Sequence, residues 1–206
     1  MNVARAEAPT LAAAIWPNEV NRAFRWVALV ALGVALLTLS AKFKVPFYPV
    51  PVTLQTLAVP LIAAAYGARL GTATVVAYLL AGFVGLPVFT NTPPELASPL
   101  YFLGPTGGYL AAYPLAAWIV GSLAERDPHR SVVRLFGAML VGDIVIFAAG
   151  FVWLAFAAQL SSGAVGLGAK VAWSAGVQPF LLADLVKIAL AAALIRAGWV
   201  ITKSRG

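Results

Sequence analysis

A series of long apolar runs, almost free of charge inside, most constrains what this chain can fold into. Hydrophobic residues make up 62% of it and charged residues 10%, too little polar surface to coat a water-soluble particle of this size. In a bilayer every backbone N–H and C=O must be satisfied within the spanning structure. The predicted class is therefore an all-α integral membrane protein with the lipid bilayer as its solvent.

A spanning helix needs about 17–25 predominantly apolar residues. Six candidates fit: about 26–41, 53–67, 70–86, 106–124, 135–158 and 178–198. They form one membrane domain over 1–206, with 1–25 as an N-terminal segment and 26–198 as a six-helix core. Residues 1–25 lack a basic start followed by an apolar h-region, so no cleavable signal peptide is expected. "LAAAIW" (Leu11–Trp16) is too short to span and is expected on the membrane surface.

The basic residues set the orientation. Alternating the faces puts Arg5, Arg22, Arg25, Arg69, Arg126, Arg130, Arg134, Arg196, Lys203 and Arg205 on one side. Lys42, Lys44 and Lys170 fall on the other, and Lys187 is left inside. Ten against three predicts both termini in the cytoplasm. The net charge of +7 does not indicate a nucleic-acid partner, because these residues form no continuous face. The outer loops, 42–52, 87–105 and 159–177, are long and rich in Pro, Gly and aromatics, which makes the outer face the expected ligand side.

Asp143, Asp184 and Lys187 lie within predicted spans. A charge at a helix centre costs about 2.5–3.5 kcal/mol, so each is a functional candidate. Asp184 and Lys187 stand three apart on one helix face, roughly 10 and 15 Å below the outer end of the sixth helix. One reading is an intrahelical ion pair that merely neutralises itself. The sharper one is a ligand site, with Lys187 meeting a substrate carboxylate and Asp184 accepting from substrate N–H groups. Asp143 enters from the opposite side, about 12 Å deep, and suits a structural role.

"GPTGGY" (Gly104–Tyr109) opens the fourth span, where exposed helix N–H groups suit an anionic or carbonyl group. Its Thr106, Gly107 and Tyr109 are candidate contacts, although such glycines also serve as packing devices. Tyr101, Phe102, Tyr109, Trp173 and Phe180 are candidate ring walls. Asn91 reads equally well as a turn residue before "TPP" or as a ligand contact. Ala31 and Ala35, four apart, permit close helix contact.

Catalytic and metal sites are not expected. Cysteine is absent. "GAVGLGAK" (Gly163–Lys170) imitates a phosphate loop but has Ala169 where the lysine belongs, so ATP hydrolysis by this chain is excluded. Two intramembrane aspartates raise an aspartyl-protease reading. The Gly-x-Gly-Asp segment of such enzymes is incomplete at Leu140–Asp143, and Lys187 would hold Asp184 ionised.

The motifs "PVPVTLQTLAVPL" (Pro49–Leu61), "GARLG" (Gly67–Gly71), "AYLLAGFVGLPVF" (Ala77–Phe89), "YFLGPTGGYLAAYPLAAWIVG" (Tyr101–Gly121) and Asp184-x-x-Lys187 occur in one order over about residues 40–190. With them the chain resembles BioY, the biotin-specific S component of energy-coupling factor (ECF) transporters. The resemblance implies a six-helix subunit of a prokaryotic cell membrane that captures biotin from outside. Such subunits dock on a transmembrane coupling protein driven by two ATPase subunits, though some BioY proteins occur without dedicated partners. It implies biotin contacts at Asp184, Lys187 and Asn91, and a docking role for Ala31 and Ala35. No enzymatic activity or cofactor is implied, biotin being the cargo. An S component for another carboxylated vitamin is the nearest alternative.

Overall fold

A computed structural model describes residues 10–16, 21–46, 48–90, 99–127, 129 and 131–204. The elements are α1 (Leu11–Ile15), α2 (Arg22–Lys42), a hairpin of β1 (Lys44–Val45) and β2 (Val52–Thr53), and α3 (Gln55–Phe83). A 3-10 turn (Pro99–Leu103) leads to α4 (Gly107–Glu125), α5 (Val132–Phe156), α6 (Ala169–Gly176) and α7 (Leu181–Ser204). Five of these helices, α2, α3, α4, α5 and α7, are long and apolar enough to cross a membrane.

Two expected spans, 53–67 and 70–86, merge into the single element α3, but it is not straight. Gly67 takes φ 83° and ψ 175°, outside the helical range and in a region that favours glycine. In a continuous helix Gln55 and Tyr78 would lie about 35 Å apart (23 residues at 1.5 Å). Instead the Gln55 side-chain amide donates to the Tyr78 hydroxyl at 2.9 Å. The element is a helical hairpin with limbs 55–66 and 68–83. A Cβ on Gly71 would stand 2.9 Å from Ala63 Cα, so the absent side chain lets the limbs close. Glu125, at the end of α4, caps the second limb by accepting the Ala68 N–H at 3.1 Å.

The α3 hairpin, α4, α5 and α7 enclose one core that includes Tyr78, Met139, Ile146, Leu154 and Ile188, all buried. The α2 helix packs on α3 through Leu29, Gly33 and Leu37 and leaves Ala31 and Ala35 exposed. Its first turn is tied down by the Arg25 guanidinium, which donates to the Trp16 carbonyl at 2.8 Å. Thr10 caps α1 by accepting the Ala13 N–H. That segment does not lie free on a membrane surface. It buries Leu11 and Ala12 in the bundle, with Leu11 against Gly198 of α7.

The ends of the bundle sort by charge. Arg22, Arg25, Arg69, Arg126 and Arg134 sit at helix termini of one end, whereas Lys42 closes α2 at the other. Between α4 and α5, Asp127 is buried. Burial alone would raise its carboxyl, but bonds from the Ser131 N–H, the Arg134 guanidinium and the His129 N–H together hold it below the usual carboxylate range. The connections expected on the outer face carry more structure than their composition suggests. The β1–β2 hairpin pairs Val45 with Val52, and α6 occupies part of the expected 159–177 loop.

Gly121 faces the Gly67 turn. A Cβ there would lie 2.5 Å from Ala68 N and 2.7 Å from Gly67 C. Gly121→Leu should destabilise the purified protein by about 1–3 kcal/mol through overpacking. Gly137→Leu, where an added Cβ meets nothing within 4 Å, should cost far less. Thermal unfolding in detergent compares the two.

Candidate functional site

At the lysine end the helices leave a cavity lined by Val50, Thr53, Thr56, Phe89, Thr90, Tyr101, Thr106, Tyr109, Leu110, Tyr113, Ile146, Phe147 and Phe180, among others. Its upper wall is an aromatic cluster. Phe89 stacks on Tyr101 with centroids 5.0 Å apart, and Tyr78 and Phe102 meet the same ring edge-on. The Tyr101 hydroxyl donates to the Thr90 carbonyl at 2.9 Å. Lys42 stands beside this wall, its ammonium donating to the Phe89 carbonyl at 2.7 Å. The free volume is about 40 Å³, room for roughly three waters.

Two prolines shape the walls. Pro60 and Pro114 lie inside α3 and α4 and carry no N–H, so the carbonyls four residues earlier, Thr56 and Leu110, lose their helical donors. Both of those residues line the cavity.

Behind Thr53 and Thr56 sits the ion pair. The Lys187 ammonium donates to Asp184 Oδ1 at 2.6 Å, to the Thr53 carbonyl at 2.8 Å and to Thr56 Oγ1 at 3.1 Å. All three of its protons are thus engaged. Thr56 Oγ1 in turn donates to the same Oδ1 at 2.8 Å. Asp184 is 1% exposed, and its Oδ2 is buried without a hydrogen-bond partner among the described residues. Tyr113, 4% exposed, lines the cavity within the field of both Asp184 and Asp143, and its hydroxyl makes no hydrogen bond among the described residues. The helix starts at Leu181 rather than near 178, so Asp184 lies only about 5 Å and Lys187 about 9 Å below its first residue.

The expected site residues divide. Thr106 and Tyr109 line the cavity, and Asp184 and Lys187 back it one layer deeper. The Tyr109 hydroxyl is tied to the Gly176 carbonyl at 2.8 Å, which makes this side chain a wall. Gly107 does not line the cavity; a Cβ there would meet the Phe102 carbonyl and the Trp153 indole, so its smallness serves packing. Among the proposed ring walls Tyr101 and Phe180 face the space, Phe102 supports Phe89 from behind, and Trp173 faces a different groove. Asn91 lies outside the described residues.

Thr53, Thr56 and Tyr113 were not singled out as site residues. Thr53 and Thr56 lie in the quoted "PVPVTLQTLAVPL" motif and Tyr113 in "YFLGPTGGYLAAYPLAAWIVG", but nothing in the spacing of either motif marks these hydroxyls. Asp143 is 8% exposed with Oδ1 buried and unpartnered, and no hydrogen bond joins it to Asp184 among the described residues. The paired carboxylates an aspartyl protease needs are thus not formed.

Removing one partner of a buried ion pair leaves an uncompensated charge and costs about 3–5 kcal/mol. Lys187→Met should lower unfolding free energy by that order, and the double change with Asp184→Leu should lose less than the single one. Equal losses would show that the pair makes no coupled contribution.

One family model, BioY family, matches residues 12–204. A probable biotin transporter BioY of Pyrococcus horikoshii is 38% identical over 80% of this chain and 90% of its own length. Biotin transporter BioY2 of Lactococcus lactis is 34% identical over 82% and 89%, and biotin transporter BioY of Thermotoga maritima 35% over 77% and 86%. In fold, the chain matches a crystal structure of the S component for biotin from an ECF-type ABC transporter, with a TM-score of 0.71 at 22% identity, over 87% of this chain and 94% of that one. The cavity at the lysine end, the Gly67 hairpin and the Asp184–Lys187 pair are thus features of a multi-pass membrane protein that belongs to the BioY family.

Proposed function

We propose that this chain is the substrate-binding subunit of a biotin uptake transporter. It crosses a prokaryotic cell membrane six times, counting the two limbs of α3, with both termini cytoplasmic. It captures biotin at the lysine end and delivers it inward on a transmembrane coupling protein and two ATPase subunits. The exposed face of α2 around Ala31 and Ala35 meets that coupling protein. The relatives named as biotin transporters support the substrate class. The observation that carries the reading is the buried Asp184–Lys187–Thr56 cluster at the base of an aromatic cavity in a membrane bundle.

The geometry favours one orientation of the ligand. Biotin carries a ureido ring at one end and a valerate carboxylate at the other. Asp184 and Lys187 are 2.6 Å apart, so they serve the same end. A carboxylate placed there would add a second negative charge to a pair that is already neutral, and buried charge in a membrane is costly. The ureido group is neutral, with two donors and one acceptor. Its N–H suits the unpartnered Asp184 Oδ2, and its C=O suits Lys187 or Thr56 once Thr56 turns aside. The carboxylate then lies toward Lys42 at the aromatic wall. This inverts the expectation that Lys187 meets the carboxylate.

Titration calorimetry with biotin and biotin amide tests both parts. Biotin should bind more tightly than micromolar, about −8 kcal/mol; no binding in that range overturns the function. A hydrogen bond to a charged group contributes about 1.5–3 kcal/mol. Lys42→Ala should therefore weaken biotin roughly 10-fold or more and leave the amide nearly unchanged. Lys187→Ala should weaken both ligands alike. The reverse pattern would place the carboxylate at Lys187.

A further inference from the structure

The hydroxyls around the lysine-end cavity are mostly spent on the protein itself. Thr56 donates to Asp184, Thr90 to the Ala41 carbonyl, Tyr101 to the Thr90 carbonyl and Tyr109 to the Gly176 carbonyl. Tyr113 differs. It lies one turn beyond Tyr109 on α4, lines the same cavity and is 4% exposed. Its hydroxyl makes no hydrogen bond among the described residues. Phenylalanine would fill the same space with the same ring and leave no polar atom to desolvate. A tyrosine is therefore at a disadvantage here in the ligand-free protein, and a ligand that bonds its hydroxyl removes that disadvantage.

The surroundings orient the group. Asp184 and Asp143 both act electrostatically on Tyr113. Negative charge draws the O–H proton toward the carboxylates and leaves the oxygen lone pairs for the cavity. Tyr113 thus presents an acceptor. A second unspent acceptor, Asp184 Oδ2, belongs to the same end of the cavity. A ligand that suits both carries two N–H groups on one small rigid frame. A cyclic urea has that pattern, with a carbonyl between its N–H groups for the Lys187–Thr56 side. It is also neutral, so it adds no charge beside the buried ion pair.

We propose that Tyr113 is a further substrate-binding residue, whose hydroxyl oxygen accepts the second ureido N–H of biotin while Asp184 Oδ2 accepts the first. The assignment rests on the biotin function and on the ureido end lying at Asp184. It adds a source of selectivity. Two acceptors facing two N–H groups favour a urea over a carbamate or a lactam, whose ring oxygen or methylene would leave one acceptor unbonded.

Tyr113→Phe and Tyr109→Phe, compared in purified protein, separate a ligand contact from a wall. Tyr113→Phe removes one neutral hydrogen bond and should weaken biotin roughly five-fold. Its melting temperature without ligand should be unchanged or raised. Tyr109→Phe should do the reverse: it loses the bond to Gly176, so the ligand-free protein should melt lower while biotin affinity stays nearly intact. A second arm uses two biotin carbamates, each with one ureido N–H replaced by a ring oxygen. The loss in Tyr113→Phe should persist with one carbamate and vanish with the other. A loss that persists with both would overturn the N–H assignment. Tyr113→Phe melting lower without ligand, as Tyr109→Phe should, would make Tyr113 a structural residue. Biotin bound by Tyr113→Phe as tightly as by the unchanged protein would remove Tyr113 from the site. Failure of the unchanged protein to bind biotin would instead overturn the function.

Discussion

The ion pair between Asp184 and Lys187 is the interaction on which the architecture of the lysine-end half depends. Neither charge is tolerable alone at that burial, and each makes the other possible. The pair also does more than neutralise itself. Lys187 reaches across from α7 to the Thr53 carbonyl and the Thr56 hydroxyl, at the start of α3. The two helices are therefore joined by a polar knot where a membrane core would otherwise offer only dispersion contacts. The knot backs the cavity, and its Oδ2 is a buried acceptor without a hydrogen-bond partner among the described residues.

Glycine and proline supply the rest of the geometry. Gly67 turns α3 back on itself, and Gly71 and Gly121 let backbones approach where any side chain would separate them. Pro60 and Pro114 release carbonyls beside the cavity at the cost of two helical bonds. Small residues at the arginine end and aromatic side chains around the cavity at the lysine end give the bundle two unlike halves.

Much of this was legible in the residues. The apolar runs give the helices, and Asp184-x-x-Lys187 marks the polar floor because charge inside such a run needs a reason. "GARLG" reads as a tight turn between two spans, and the structure turns there within one merged element. The misses have physical causes. Three-residue spacing shows that Asp184 and Lys187 share a face but not that Thr56, 128 residues from Asp184, completes the cluster. Nothing local distinguishes Tyr109, whose hydroxyl is tied to Gly176, from Tyr113, whose hydroxyl is not. Gly107 resembles an anion-binding helix start, yet the neighbouring Phe102 carbonyl and Trp153 occupy the space a side chain would need. The short α6 and the β1–β2 hairpin escape notice because a membrane reading searches for long runs.

The central claim is that the ureido end of biotin lies against Asp184 and Lys187. Isotope-edited infrared spectroscopy of bound biotin, labelled with 13C at the ureido carbonyl or at the carboxylate, reads each end separately. The ureido carbonyl stretch should move to lower frequency on binding, as a strong hydrogen bond to an ammonium requires, and that shift should vanish in Lys187→Met at saturating ligand. The carboxylate band should be insensitive to Lys187. A ureido band unchanged from water, with the carboxylate band responding to Lys187→Met, would contradict the claim.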